Sequence, residues 1–288
     1  MASVGQTDFL YQYLITLKIN GFWLRYSTGS TFDSINSADI KDAIIFLPEK
    51  NEQSRIAKTL NCIDNLIAAT QRRIDDLEQV EKTLLQHLFD QSWRFNVYSD
   101  PWVKSKVANM AKENFGGGTP STKKRSFWTG SLPWIQSSDL DKSNKYTVIP
   151  KKFISSAALK SSAAKKVPSN SIAVVTRVGV GKLAFINYDY ATSQDFLSFS
   201  FLNWSAFFSV NLLTRVMEQM SNEGQGTSIK GVTKSELLAK SVLIPTSLEE
   251  QISIGNLLKS FDDLIKSTSN RLSKLELLKT SLLKNLFV

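Results

Sequence analysis

The sequence predicts an α+β protein: a mixed α/β module and two long helices that bury their apolar seams against each other. Three observations carry that expectation. Residues 52–89 repeat as residues 250–287 at an offset of 198 positions, without a gap. Both copies place apolar residues at alternating steps of three and four, the pattern of a helix that buries itself against another helix. Between the copies lie short β-branched and aromatic runs punctuated by glycine and proline, as strands and turns require.

In chain order, DFLYQYLITL (8–17) has the spacing of an amphipathic helix. Ile44, Ile45, Phe46 and Leu47 form a β-like run closed by Pro48, a strand-to-helix junction. The first long helix follows. Its seam is Leu60, Ile63, Ile67, Thr70, Ile74, Leu77, Leu84 and Leu88, with Glu81 interrupting. Residues 114–121 (NFGGGTPS) are a loop by composition. Residues 171–176 and 183–186 read as strands joined by a turn at Gly179 and Gly181, and 196–201 (FLSFSF) as a half-buried strand. AFFSVNLLTRV (206–216) repeats the helical spacing of 8–17, and 242–244 with Pro245 repeats the junction. The second long helix carries Leu258, Phe261, Ile265, Thr268, Leu272, Leu275, Leu282 and Leu286, with Lys279 interrupting.

At ~1.5 Å per residue each long helix spans roughly 55 Å, enough to hold two objects apart. A helix lying on its own module is the competing arrangement, but the matched seams favour pairing with each other. The matched positions include Glu52/Glu250, Gln53/Gln251, Ile56/Ile254, Asp64/Asp262, Arg73/Arg271 and Phe89/Phe287. A period this long indicates two copies of one large module, not a solenoid. The repeat reaches upstream of the helices: residues 29–35 (GSTFDSI) align with 226–232 (GTSIKGV). Residues 1–48 match only the last third of the second module. The expected organisation is therefore a module remnant (1–48), a long helix (49–91), a complete module (92–246) and a second long helix (247–288).

Of the 288 residues, 42% are hydrophobic and 21% charged, enough for one good core with appendages. No run of ~20 apolar residues could span a membrane, and residues 1–8 do not resemble a secretory signal. The one cysteine, Cys62, excludes an internal disulfide and is expected as a small apolar filler in a reduced cytoplasm. The net charge of +9 is unevenly placed: residues 92–246 hold twenty basic and nine acidic side chains, and the rest of the chain is slightly acidic. A basic excess confined to one module is the footprint of a polyanion such as DNA or RNA. A basic domain without such a partner is the alternative that charge alone leaves open.

Catalytic chemistry finds no support. His87 is the one histidine, expected at a helix surface, so neither a histidine–cysteine metal cluster nor a Ser-His-Asp set can form. Gly179, Gly181 and Lys182 lack the spacing of a phosphate-binding loop. Asp100-Pro101-Trp102 falls short of an amino-methyltransferase motif and has no glycine-rich cofactor loop beside it. The expectation is no catalytic residue, no cofactor and no metal.

The second module resembles a target recognition domain of the specificity (S) subunits of type I restriction-modification systems. The likeness rests on five blocks in order. Residues 115–121 (FGGGTPS) resemble the family's G-x-T-P-S opening, followed by 128–130 (WTG) and 132–140 (LPWIQSSDL). Residues 176–182 (TRVGVGK) are similar to its T-R-G-x-I-G block, 193–195 (SQD) fall at its N-Q segment, and 226–228 (GTS) resemble its last block.

The resemblance implies that the helices form an antiparallel coiled coil, setting the separation between half-sites and docking methyltransferase (M) subunits. It implies double-stranded DNA as ligand and a non-catalytic role beside M subunits and, through them, endonuclease (R) subunits. The family pattern has two recognition domains, and this sequence carries the blocks of one. It is thus expected as an N-terminally truncated form, with a second S chain as a further candidate partner. A variant that binds M subunits without reading DNA is the alternative.

Phosphate contacts need Lys, Arg and loop N–H groups, and base readout needs polar side chains that reach groove edges. Lys123, Lys124 and Arg125, directly after the glycine loop, are the phosphate-side candidates, with Arg177, Lys182 and Lys230. Gln136, Ser137, Ser138, Gln194, Gln225, Thr227 and Ser228 are candidates for base edges or positioning. Arg177 could instead pair with a neighbouring carboxylate, any one lysine could be a solvated surface charge, and Trp128 and Trp134 are expected in the core.

Overall fold

A computed structural model describes residues 4–25, 35, 37–41, 44, 47–223 and 231–287. Its helices are α1 (Val4–Ile19), α2 (Ser37–Lys41), α3 (Lys50–Phe89), α4 (Ser156–Ser161), α5 (Ala206–Glu223), α6 (Lys234–Ala239) and α7 (Leu248–Leu286). The strands are β1 (Val103–Lys106), β2 (Ala111–Gly116), β3 (Leu132–Ile135), β4 (Lys152–Ile154), β5 (Ser171–Val175), β6 (Leu183–Ile186), β7 (Ala191–Thr192), β8 (Phe196–Leu202) and β9 (Ser241–Ile244). The chain divides into two compact units, Met1–Glu78 with Ile265–Val288, and Gln79–Leu264.

Both long helices begin with the same device. The Gln53 amide donates to the Pro48 carbonyl at 2.7 Å, and the Gln251 amide to the Pro245 carbonyl at 2.9 Å. Acidic Glu52, and Glu249 with Glu250, sit in the first turns, where the helix dipole favours negative charge.

In the first unit, α1 supplies Phe9 and Tyr13 to a core with Ile56, Ala57, Leu60 and Leu283. The start of α3 therefore meets the end of α7, an antiparallel pairing. Phe287 closes the cluster, its ring 5.3 Å from those of Phe9 and Tyr13. Buried Gln12 donates to Asp64 Oδ2 at 2.8 Å, and Lys279 Nζ reaches Asp64 Oδ1 at 2.5 Å. The polar interruption of the α7 seam is thus an ion pair across the helices.

The second unit is the α+β module with the remaining helix ends. Its main sheet has the order β2-β8-β5-β6, all antiparallel; β4-β3-β7 and β1-β9 form smaller sheets. β5 is buried throughout because it serves two cores. Ile172 and Val174 face α5 and the helix ends, packing with Phe208, Leu213, Leu88, Ile254 and Leu258. Ala173 and Val175 face the opposite side, with Ile135, Tyr190 and Phe196. Here the end of α3 meets the start of α7, again antiparallel. Arg94 donates from Nε and Nη2 to the two oxygens of Glu250 at 2.7 and 2.8 Å, and Trp102 Nε1 donates to the same carboxylate at 3.1 Å. These contacts tie the segment after α3 to the first turn of α7.

Several expectations need correction. Residues 114–116 are not loop: they complete β2 and pair with Phe199, Ser198 and Leu197 of β8. Glycine content masked a strand whose partner is distant in sequence. Residues 196–201 are not half-buried, because β8 lies between β2 and β5 and is buried through Ser200. Its serines are small enough for close packing, and Ser200 Oγ meets Ser171 Oγ at 2.6 Å.

Cys62 is exposed, not an apolar filler, one position off the seam. On α7, Leu286 is 38% exposed while Leu283 is 1% exposed. A straight helix drifts against a heptad repeat, so the buried position moves from the expected residue to its neighbour. The remaining seam residues are buried or partly buried. Ile45 and Phe46 of the expected first strand lie outside the described residues. No helix among the described residues is long and apolar enough to cross a membrane.

Candidate nucleic-acid interface

The described candidate residues stand on the loops that leave the ends of β2, β3, β5 and β7. The chain turns out of β2 at Gly117, where a Cβ would stand 1.9 Å from the Ser193 carbonyl oxygen and 2.3 Å from Thr192 Oγ1. Only glycine admits that approach, which lets the Gly118 N–H donate to the Thr192 carbonyl at 2.9 Å. The next residue, Thr119, donates its hydroxyl to Gln194 Oε1 at 2.5 Å. The first and fourth sequence blocks therefore meet here.

The block after β3 turns back on itself. Gln136 N–H donates to Asp139 Oδ2 at 3.0 Å in a capping box, and its side-chain amide donates to Ser138 Oγ at 2.8 Å. Lys182 reaches the same segment, donating to the carbonyls of Ser137 at 3.2 Å and Leu140 at 2.9 Å. It is half-buried and spends two donors on backbone, so the structure places it as a brace. The turn before it needs glycine: Gly179 and Gly181 have φ of 88° and 91°.

Arg177 at the mouth of that turn keeps 65% of its side chain exposed, with Asp195 Oδ1 4.0 Å away. The carboxylate partner expected for Arg177 is thus present as a loose, solvent-exposed pair. Gln225, Thr227, Ser228 and Lys230 lie outside the described residues. Gly231 lies beside Arg177, and the Val232 N–H donates to the Thr176 carbonyl at 2.8 Å.

Lys123, Lys124 and Arg125 are all exposed on the turn that enters the short helix Arg125–Trp128. That turn is fixed from below: Phe127 is buried, Trp128 Nε1 donates to the Ser121 carbonyl at 3.1 Å, and Lys124 Nζ sits 4.3 Å over the Phe127 ring. Trp134 is buried as expected, donating to the Gly118 carbonyl at 3.0 Å, and Trp128 is half-buried against it.

Sequence reasoning missed Lys151, Lys152 and Phe153, which join Thr122, Trp128 and Thr129 around an open pocket. Lys152 Nζ bonds Gln136 Oε1 at 3.2 Å and lies 5.9 and 5.7 Å over the Trp128 and Trp134 rings. It links Trp128, at the end of the short helix Arg125–Trp128, to Gln136. The basic-aromatic run 151–153 (KKF) was the available signal. Among the described residues no group of histidine, cysteine and carboxylate side chains could hold a metal. His87 instead stacks on Trp93 at 4.4 Å, with Nδ1 2.7 Å from Ser92 Oγ.

The family model for the type I restriction modification DNA specificity domain matches residues 4–79 and 99–277, and the chain belongs to that family. The type I restriction enzyme MjaIX specificity subunit of Methanocaldococcus jannaschii is 29% identical over 198 residues, covering 65% of this chain and 44% of that protein. The EcoR124I/EcoR124II specificity subunit of Escherichia coli is 25% identical over 227 residues, covering 70% and 53%. The chain thus spans about half the length of these curated relatives. The crystal structure of a type I restriction-modification S subunit from M. genitalium shares the fold at a TM-score of 0.69 and 16% identity, covering 98% of this chain and 72% of that one. The HsdS subunit from Thermoanaerobacter tengcongensis shares it at 0.55, with 16% identity and coverage of 96% and 69%.

Proposed function

We propose that this chain is the DNA-reading component of a type I restriction-modification complex. The module at 92–246 reads one half-site, and the helices at 49–91 and 247–288 serve as spacer and docking scaffold for methyltransferase subunits. The observation that carries the reading is the joining of four sequence blocks, through Thr119, Gln136 to Ser138, Arg177 and Gln194, at the loop ends of the one module with a basic excess.

Arg177 and the 123–125 turn would hold phosphates, and the glutamines and serines would face base edges. The chain supplies no catalytic group of its own; methylation and cleavage belong to partner subunits. Purified chain assembled with its methyltransferase partner is expected to enrich one short motif from a random duplex library. A library that emerges unenriched at low salt sinks the reading.

A further inference from the structure

The repeat carries one charge reversal between the two units. In the first, Asp64 of α3 faces Lys279 of α7 at 2.5 Å, and Gln12 of α1 donates to the same carboxylate at 2.8 Å. The repeat puts Asp262 at the position of Asp64, and Glu81 at the position of Lys279. Helix α5 also reaches this second site, through Asn211. The second site would therefore set two carboxylates, Asp262 and Glu81, against each other across the helix pair. Buried like charges within a few ångströms cannot both stay ionised without a cation.

The module supplies it. Lys145 Nζ lies 3.0 Å from Glu81 Oε1, 3.2 Å from Asp262 Oδ1 and 3.3 Å from Asn211 Oδ1, three acceptors for three ammonium protons. Its side chain is 11% exposed, and that of Asp262 10%. The Lys145 carbonyl accepts from the Phe185 N–H of β6 at 2.9 Å, so the residue grips the sheet by its backbone and the helices by its tip. Tyr146 seats the turn beside it, accepting from Asn211 Nδ2 at 3.1 Å and packing edge-on against Phe207 at 5.3 Å. A few residues upstream lie Gln136, Ser137 and Ser138 of the candidate interface.

We propose that Lys145 is a positioning residue that latches residues 136–146 to the acidic pair Glu81 and Asp262, and so fixes the direction in which Gln136, Ser137 and Ser138 face DNA. The latch stands on geometry alone; its effect on DNA rests on the function proposed above.

Electrostatics support the role. Burial raises the Asp262 carboxyl from its ordinary value to about 6, Lys145 opposing the shift and Glu81 adding to it. Tyr146 and Lys259 also stand near the site, and Lys82, Lys142 and Glu218 line the cleft that Lys145 borders; Lys259 lies 5.3 Å over the Tyr146 ring and is paired with Asp263 at 2.5 Å. A folded-state pKa raised above the unfolded one contributes stability that is fully present below the unfolded value and is lost as pH rises through the folded value. Removing Lys145 raises that pKa further and widens the loss. Lys145→Met should therefore cost more melting temperature near about pH 8 than near about pH 5.

The test uses the full chain with its methyltransferase partner and compares Lys145→Met, Glu81→Lys and the charge swap Lys145→Glu with Glu81→Lys. Glu81→Lys makes the second site a copy of the first, with Asp262 closed by a helix-borne lysine and Lys145 expelled. Both single variants are expected to speed amide exchange at 141–146 by about tenfold. Each should also weaken binding of the enriched motif by roughly tenfold with an unchanged salt slope, because no phosphate contact is lost. The swap should restore both.

Unchanged exchange in Glu81→Lys, which keeps the helix pair closed, overturns the latch even if Lys145→Met does not fold. Faster exchange with undiminished motif affinity overturns the positioning role. If the wild-type complex enriches no motif, the DNA reading fails while the exchange measurements still decide the latch.

Discussion

Replacing Lys123, Lys124 and Arg125 together by glutamine is expected to weaken DNA binding steeply while leaving the choice among sequences intact. All three side chains are exposed and lie directly after the Gly117 turn. The buried anchor beneath them, Phe127, stays in place and loses only the exposed Lys124 contact over its ring, so the melting temperature should fall by little. Each phosphate neutralised adds about 0.9 to the slope of log affinity against log salt, so losing three contacts should flatten that slope by about 3. Electrophoretic or anisotropy titrations across a salt series read the slope directly. A variant with the wild-type slope would place the phosphate track elsewhere on the module.

Gly117→Ala is expected to damage the module more severely than its size suggests. The new methyl would stand 1.9 Å from the Ser193 carbonyl oxygen and 2.6 Å from that of Thr192, both backbone atoms that cannot swing aside. The strand β7 would have to leave Gly118 and Ile135, to which it and its successor are hydrogen-bonded at 2.9 and 3.0 Å. Overpacking of this kind costs about 1–3 kcal/mol or more, a fall of several degrees in melting temperature at roughly 2–4 °C per kcal/mol.

Because β7 leads to Gln194, motif preference should be lost along with stability. Gly116→Ala is the matched control, since nothing lies within 4 Å of its would-be Cβ. Thermal unfolding of the pair separates the two positions, and equal melting temperatures would show that the Gly117 approach is dispensable.

The parts of this fold legible in the sequence are those with a period. Both long helices, the paired seams, β5, β6, β8 and the amphipathic helix α5 follow from spacing of three-to-four or two, and a second copy 198 residues away checks the long helices. The helix expected at 8–17 forms as α1, but it buries Gln12 and Thr16 and exposes Tyr11 and Leu14, so it is not amphipathic. What stayed hidden depends on partners far along the chain. The end of β2 reads as loop until β8 is placed beside it. Leu283 displaces Leu286 because a helix does not keep an integer repeat.

Lys182 looks like a free cation beside a glycine turn, yet the carbonyls of Ser137 and Leu140 hold it. The residues of the candidate site were mostly visible because they stand in blocks. Lys152 was not, since its meaning comes from Gln136 and two tryptophans that only folding brings near. Lys145 was invisible for a different reason. The sequence shows Glu81 and Lys279 as interruptions of a seam, but which of them lacks a helix-borne partner appears only when the pair is aligned antiparallel.

The most direct test of the central claim is the affinity of the assembled complex for its enriched motif relative to a shuffled duplex of the same composition, at one salt concentration. Sequence reading by this module predicts a ratio on the order of 10³ or more, falling when Gln136 and Gln194 are both replaced by alanine and holding when Lys123 is replaced. A ratio near one, with both duplexes bound equally, would contradict it.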